Sequence, residues 1–273
     1  MKRIALVASL LGALPLGALA TETETGTETW DLIRDELYDA RPLQDGSHLI
    51  AIDAPARTFD DARTVIAAHV VAPAGLQLGE VTLVLDENPM PVSAVFALDT
   101  PQDSFFFDVT MRVNGPTPLH VVAETTDGRL WLAESFVKTS GQGACAAPPG
   151  TDPAVALATL GDMDLAVGDL PGAAGMLERL SARTRKLDVD ISHPSHSGMQ
   201  MDQISLLYIP MRYVEDLQVD LDGAGYVGVT GSISLSENPR MGLSVPARTQ
   251  SVDVTMTDTE GTVTRAHKRL AGF

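Results

Sequence analysis

A single cysteine, Cys145, is all the thiol chemistry that the 273 residues contain, so no internal disulfide can brace the fold. Basic residues are scarce as well: 19 Lys and Arg stand against 36 Asp and Glu, a formal charge of −17. A polyanion of this kind has no electrostatic pull toward phosphate backbones or anionic lipid. That excludes nucleic acid and membrane surfaces as natural partners and favours a basic protein. Long apolar runs are missing too. The run Ile4 to Leu14 follows Lys2-Arg3, is interrupted by Gly12, Pro15 and Gly17, and leads to Ala18-Leu19-Ala20. It is too short to span a bilayer and predicts an export signal over residues 1–20, cut after Ala20. Its loss makes the remaining chain two charges more negative, and that chain is expected to be soluble and exported. Aromatic residues make up only 5%, but the 44% hydrophobic content suffices for a core and excludes global disorder. The length left suits two domains of roughly 100 residues each.

The hydrophobic pattern is overwhelmingly of period two. Thr21 to Glu28 is acidic and of low complexity, and a short helix follows in which Trp30, Ile33 and Leu37 share a face. Alternating runs then recur near 48–54, 64–72, 79–86, 92–98, 105–113, 118–125 and 129–138, with Asp127-Gly128 as a hairpin turn. These predict an antiparallel sandwich over residues 21–138. Residues 139–186 are rich in Gly, Ala, Pro and Asp and lose the alternation; they predict an arm and flexible connector, with short helices near Ala154–Leu160 and Ala173–Ala182. Alternation resumes over 187–273 at Leu187-Val189-Ile191, Leu217-Val219-Leu221, Tyr226–Leu235, Val252-Val254-Met256 and Thr262–Arg269. The fold class is therefore all-β, with two antiparallel sandwiches in one chain. Glu87-Asn88-Pro89 and Glu237-Asn238-Pro239, at matched places in the strand order, and a terminal hairpin in each half suggest two related units.

Three segments are candidate sites. In Ser140-Gly141-Gln142-Gly143-Ala144-Cys145-Ala146, Gly141 and Gly143 let the backbone swing, while Ala144 and Ala146 leave the sulfur without bulky cover. No Lys, Arg or His lies within five residues of Cys145 to activate it, so it reads as an exposed handle for cargo rather than a nucleophile. The plain alternative is a small buried residue. In the second segment, His193, His196, Met199 and Met201 are ligand types that suit copper, although their spacing matches no fixed metal pattern; a loop used for packing is the plain alternative. The third, Gly223-Ala224-Gly225-Tyr226-Val227-Gly228, fits G-x-G-x-x-G, but a strand follows where a dinucleotide site needs a helix, so it reads as a hairpin turn. No nucleophile elbow, phosphate loop or zinc motif is present, and no enzyme site can be assembled.

The first half carries Asn88-Pro89-Met90-Pro91, Val95-Phe96, Thr126-Asp127-Gly128-Arg129-Leu130-Trp131 and the Gly-x-Gly-Ala-Cys arm. The second carries Ile191-Ser192-His193-Pro194, Gly198, Ile209-Pro210 and Ile233-Ser234-Leu235-Ser236-Glu237-Asn238-Pro239. In that order the chain resembles the SoxY and SoxZ subunits of the SoxYZ sulfur carrier, fused as in SoxYZ-like carriers linked with quinoprotein dehydrogenases. The resemblance implies immunoglobulin-like sandwiches that pair with each other. It also implies a non-catalytic carrier whose only cofactor is a covalent sulfur adduct on Cys145. The partners it implies are periplasmic redox proteins, with c-type cytochromes or a quinoprotein dehydrogenase as candidates, and thiosulfate oxidation is the pathway it suggests. The family's cysteine has glycine neighbours on a free C-terminal tail, whereas here Ala144 and Ala146 flank it and a second domain follows. A tethered loop needs a wider partner entrance than a tail does. The rival readings are an assembly module for a periplasmic dehydrogenase system, with Cys145 incidental, and a copper-binding protein.

Overall fold

A computed structural model describes residues 25–141, 143–171 and 183–270. The export signal over 1–20 and the helical stretch Ala173–Ala182 lie outside the described residues. Helix α1 (Thr25–Tyr38) precedes the short edge strand β1 (Leu43–Asp45). The first sandwich is built from β2 (Ile50–Asp53), β3 (Thr64–Val71), β4 (Leu78–Leu85), β5 (Val92–Gln102), β6 (Ser104–Met111), β7 (Thr117–Thr125) and β8 (Leu130–Val137). Helix α2 (Pro153–Ala158) and β9 (Met163–Gly168) follow. The second sandwich continues with β10 (Thr184–Ile191), β11 (Val214–Leu221), β12 (Ala224–Gly231), β13 (Arg240–Pro246), β14 (Ser251–Asp258) and β15 (Val263–Arg269).

Among the described residues these strands form two sheets, and both sheets run through both halves. The larger has the order β1-β8-β7-β4-β5-β12-β11-β14-β15, the smaller β2-β3-β6-β13-β10-β9. The halves meet where β5 pairs antiparallel with β12 (Phe96 opposite Val229) and β6 with β13 (Val109 opposite Met241). Moving outward from this seam, β5, β4, β7 and β8 are matched in chain order by β12, β11, β14 and β15, and β6, β3 and β2 by β13, β10 and β9. Two immunoglobulin-like sandwiches thus pair edge to edge, and each covers edges of the other that would otherwise be open. Their inner faces share one core, with Phe96, Phe105 and Phe107 clustered beside the seam.

The terminal hairpins correspond. Gly128 (φ 83°) turns β7 into β8 with Thr125 N–H on Arg129 O, and Gly261 (φ 81°) turns β14 into β15 with Asp258 N–H on Thr262 O. The Glu-Asn-Pro motifs do not correspond: the first joins β4 to β5, but the second joins β12 to β13, one connection later in its unit. The glycine-rich segment is a β11–β12 hairpin, with Asp222 (φ 52°) and Gly223 (φ 81°) both left-handed, as a type I′ turn requires. Helix α1 lies on the outer face of the larger sheet, where Trp30 and Tyr38 pack with Val84, Val122 and Leu130. Leu37 faces outward instead, and Tyr38 takes the place expected for it.

The segment expected to be only arm and connector supplies β9, an edge strand of the smaller sheet paired with β10. Its sequence alternates weakly because only Leu165 within it is fully buried. The run expected to extend from Tyr226 to Leu235 stops at Gly231, after which Leu235 N–H bonds Ser232 O in a turn. A Cβ on Gly231 would run into the Val214 carbonyl oxygen and come within 2.6 Å of Leu235 Cδ1, so the seam needs glycine there. Gly231→Ala is therefore expected to destabilise the protein by about 2 kcal/mol, lowering Tm by roughly 4–8 °C in a thermal melt.

Candidate functional site

After β8 the chain turns at Gly141 (φ 80°) and Gly143 (φ 71°) into a single helical turn, Ala144–Ala146. Both glycines adopt the left-handed conformation that other residues resist. Before the turn, Ser140 N–H donates to Asp61 Oδ2 at 3.0 Å. Within it, Cys145 N–H donates to Asn114 Oδ1 at 3.2 Å, and Asn114 N–H in turn donates to Asn88 Oδ1 at 2.9 Å. Asn88 Nδ2 closes this network on Arg112 O and on Ser234 Oγ of the second half.

The second half holds the other side of the segment. Ser197 Oγ donates to Cys145 O, and Gln200 Nε2 to Ala147 O at 2.9 Å. The Glu237 carboxylate accepts from Gly150 N at 2.7 Å and from Thr151 N at 2.8 Å. Asp152 then caps α2 by accepting from Ala154 N and Val155 N, with Pro153 in the first turn. An open groove of about 540 Å³ runs beside Pro148, Pro149 and Pro153, between α2 and the loop bearing Met201 and Ile204.

The cysteine expected to be an exposed handle is fully buried. Of its neighbours, Ala144 is buried, Ala146 and Gly141 are exposed, and Gly143 is half-buried. The small residues that seemed to leave the sulfur bare instead let the turn seat closely against the end of β6 and the 193–201 loop. Burial pushes the thiol up to about 11 from its ordinary 9.0, against the opposing pull of Arg112. That leaves about a hundredfold less thiolate at neutral pH than a free cysteine would carry. Arg112 is the cationic neighbour that sequence proximity did not offer. Its alternation with Phe105 to Val113 reads as a solvent-facing strand position, yet it is almost completely buried.

The two histidines of the histidine–methionine segment are each engaged by side chains other than one another. His193 is buried, with Nδ1 accepting from Ser195 N at 3.0 Å and Nε2 facing Asp258 Oδ2 at 3.5 Å. His196 Nδ1 faces Gln200 Oε1 at 3.0 Å, while Met201 is exposed and Met199 half-buried. Among the described residues no group of three or more His, Cys, Asp or Glu is placed to hold a metal ion. Both histidines shape the loop that carries Ser197 and Gln200. Burial lowers His193 from 6.5 to about 4, and the carboxylate of Asp258, already bonded by Arg212 Nε at 2.8 Å, does not restore it.

Two expectations follow. The unfolded chain takes up a proton on His193 near pH 6.5 and the folded one only near 4, so this residue's contribution to stability is lost as pH falls through that window. Tm measured across that range should fall less steeply for His193→Gln. Second, Glu237→Ala removes both bonds to the arm and should raise the rate of Cys145 labelling by a neutral maleimide about five- to tenfold, while Asp253→Asn, far from the arm, leaves it unchanged.

The model of the sulfur oxidation protein SoxY matches residues 34–145, and that of SoxZ matches residues 177–269. Among solved structures, the sulfur carrier protein SoxY from Chlorobium limicola f thiosulfatophilum aligns at 22% identity over 42% of this chain and 98% of its own, with a TM-score of 0.36. Two superoxide reductase (neelaredoxin) variants from Ignicoccus hospitalis align at 16% and 14% identity, over 34% and 36% of this chain and 80% and 87% of theirs, both with a TM-score of 0.28. No curated protein matches. With a SoxY unit and a SoxZ unit in one polypeptide, paired across a shared seam, the chain belongs to these sulfur-oxidation families as a fused SoxYZ-like protein.

Proposed function

We propose that the protein is a non-catalytic carrier that takes a sulfur species covalently on Cys145 and presents it to redox enzymes outside the cytoplasm. The observation that carries this reading is that the one thiol in the chain stands at the very end of the SoxY match, on a segment entered through two left-handed glycines and tied to both halves by hydrogen bonds. Such a segment can leave its seat without disturbing either core. Seated, the thiol is protonated and unreactive; released, it regains ordinary cysteine acidity. Joining a thiol and a sulfur anion through an S–S bond releases one proton and two electrons. Loading therefore requires an electron acceptor, and this asks for a redox partner such as a c-type cytochrome or a quinoprotein dehydrogenase. The strongly acidic chain favours basic surfaces on that partner. Because the arm is tethered at both ends, a partner must admit a loop rather than a tail.

The burial of Cys145 favours one other reading, an assembly module in which the thiol is incidental. Intact mass separates the two. Protein isolated without reductant from cells oxidising reduced sulfur should carry a mass increment that a reductant removes and that Cys145→Ser abolishes. An unmodified mass under those conditions favours the assembly module.

A further inference from the structure

We infer that the loop around Ile204 and the groove beside α2 form a docking surface for a second copy of this chain, and that pairing there holds the Cys145 arm in its seat.

The loop is a stiff hairpin. Asp202 N–H donates to Leu207 O and Leu206 N–H to Asp202 O, both at 2.9 Å, and Ile209 N–H donates to Gln200 O at 2.8 Å. The Asp202 carboxylate turns onto its own loop and accepts from the amides of Ile204 at 3.1 Å and Ser205 at 2.6 Å. Leu206 is left-handed (φ 57°), a conformation that leucine seldom adopts. The shape so fixed puts apolar side chains in water: Ile204 is 95% exposed, Leu206 68%, Leu207 69% and Tyr208 67%. A hairpin held in this way loses little freedom when something covers it.

Beside the hairpin lies the groove of about 540 Å³, with Met201 and Ile204 on the hairpin side, Leu157 on the α2 side, and Pro148 and Pro149 also lining it. Leu206, Leu207 and Tyr208 stand outside that lining and are free to enter the groove of a second copy. A projection and a groove on one surface are what a two-fold contact uses, since each copy gives its hairpin and receives its partner's. The exposed apolar side chains of the hairpin and of α2 offer an area on the order of 800 Å² per copy, the amount that a standard stable interface buries on each side.

Charge selects the occupant. Over the whole chain 20% of residues are charged, yet residues 153–161 hold none and residues 197–211 only Asp202, which the hairpin uses itself. The ionic side chains that do line the groove are engaged within the chain: Glu237 by the Gly150 and Thr151 amides, Arg212 by Asp258 and Glu260. A basic partner would be met by free carboxylates here. A second copy, carrying the same formal charge of −17, can approach only where charge is sparse. Repulsion between the acidic surfaces outside the patch opposes pairing, so salt strengthens it, the reverse of its effect on a basic partner. Pro148, Pro149 and Thr151 belong to the chain that leaves the Cys145 turn. A copy seated in the groove therefore bears on that chain and opposes release of the arm.

Sedimentation velocity of the protein from about 1 to 200 µM, at about 0.15 and 0.5 M salt, tests the pairing. A monomer–dimer equilibrium with a dissociation constant on the order of 10 µM, tighter at the higher salt, is expected. Leu207→Glu and Ile204→Glu each place a carboxylate at the contact and should weaken it about tenfold or more, whereas Leu32→Glu, at an exposed position on α1, should not. These side chains are exposed, so the variants should melt with the unsubstituted protein. Labelling of Cys145 by a neutral maleimide should slow about threefold from the dilute to the concentrated end, and stay flat in Leu207→Glu. A monomer throughout, a dimer that salt weakens, or a dimer that both hairpin variants leave intact overturns the pairing. Labelling indifferent to concentration in a chain that dimerises overturns the hold on the arm. Neither result bears on whether Cys145 carries sulfur, which intact mass decides.

Discussion

Everything distinctive in this protein depends on the antiparallel pairing of β5 with β12 and of β6 with β13. Two small sandwiches, each with open edges, become one double-layered body because both sheets continue across the seam. The pairing dictates an unusual β6. Its inward positions are the expected apolar ones, but its outward positions are also covered, and each polar group there is answered from the second half. Asp108 pairs with Lys186, Thr110 Oγ1 accepts from Ser236 Oγ at 2.8 Å, and Arg112 reaches the Leu235 and Ile233 carbonyls. Buried polar groups satisfied across an interface specify one register, since a slip would strand all of them.

The same seam explains the cysteine. One side of the arm is held by Asn114, three residues beyond β6; the other is held by Ser197, Gln200 and Glu237 from the second half. The SoxZ-like unit is thus part of the seat of Cys145 and not only a neighbour to it. Fusion in one chain keeps both sides of that seat at high effective concentration. The thiol is buried where the two units meet, fastened by hydrogen bonds from both and preceded by two left-handed glycines.

Much of this was legible in the sequence. The alternating runs announced themselves: the seven from 48 to 138 fall on β2 to β8, and the hairpin turns at Gly128 and Gly223 follow from residues that tolerate positive φ. Three strands were not visible, the three-residue β1 among them. In β13 the central residues Met241 to Val245 are all buried, so alternation vanishes, and in β9 an edge position leaves most residues half-exposed. The cover on Cys145 was invisible for another reason. It is supplied by residues far away along the chain, and local smallness at Ala144 and Ala146 reads equally well as exposure or as tight seating. Arg112 was hidden in plain alternation, since a polar residue on a strand is read as facing water unless the partner sheet is known.

The central claim is that the arm is seated at rest and leaves locally, without unfolding the sandwiches. Labelling of Cys145 by a neutral maleimide, followed at increasing urea concentration, tests it most directly. The account predicts slow labelling in the absence of urea, at a rate that stays nearly flat well below the unfolding midpoint, as a small local opening requires. Labelling that appears only as the whole chain unfolds, or that matches a free thiol without urea, would contradict it.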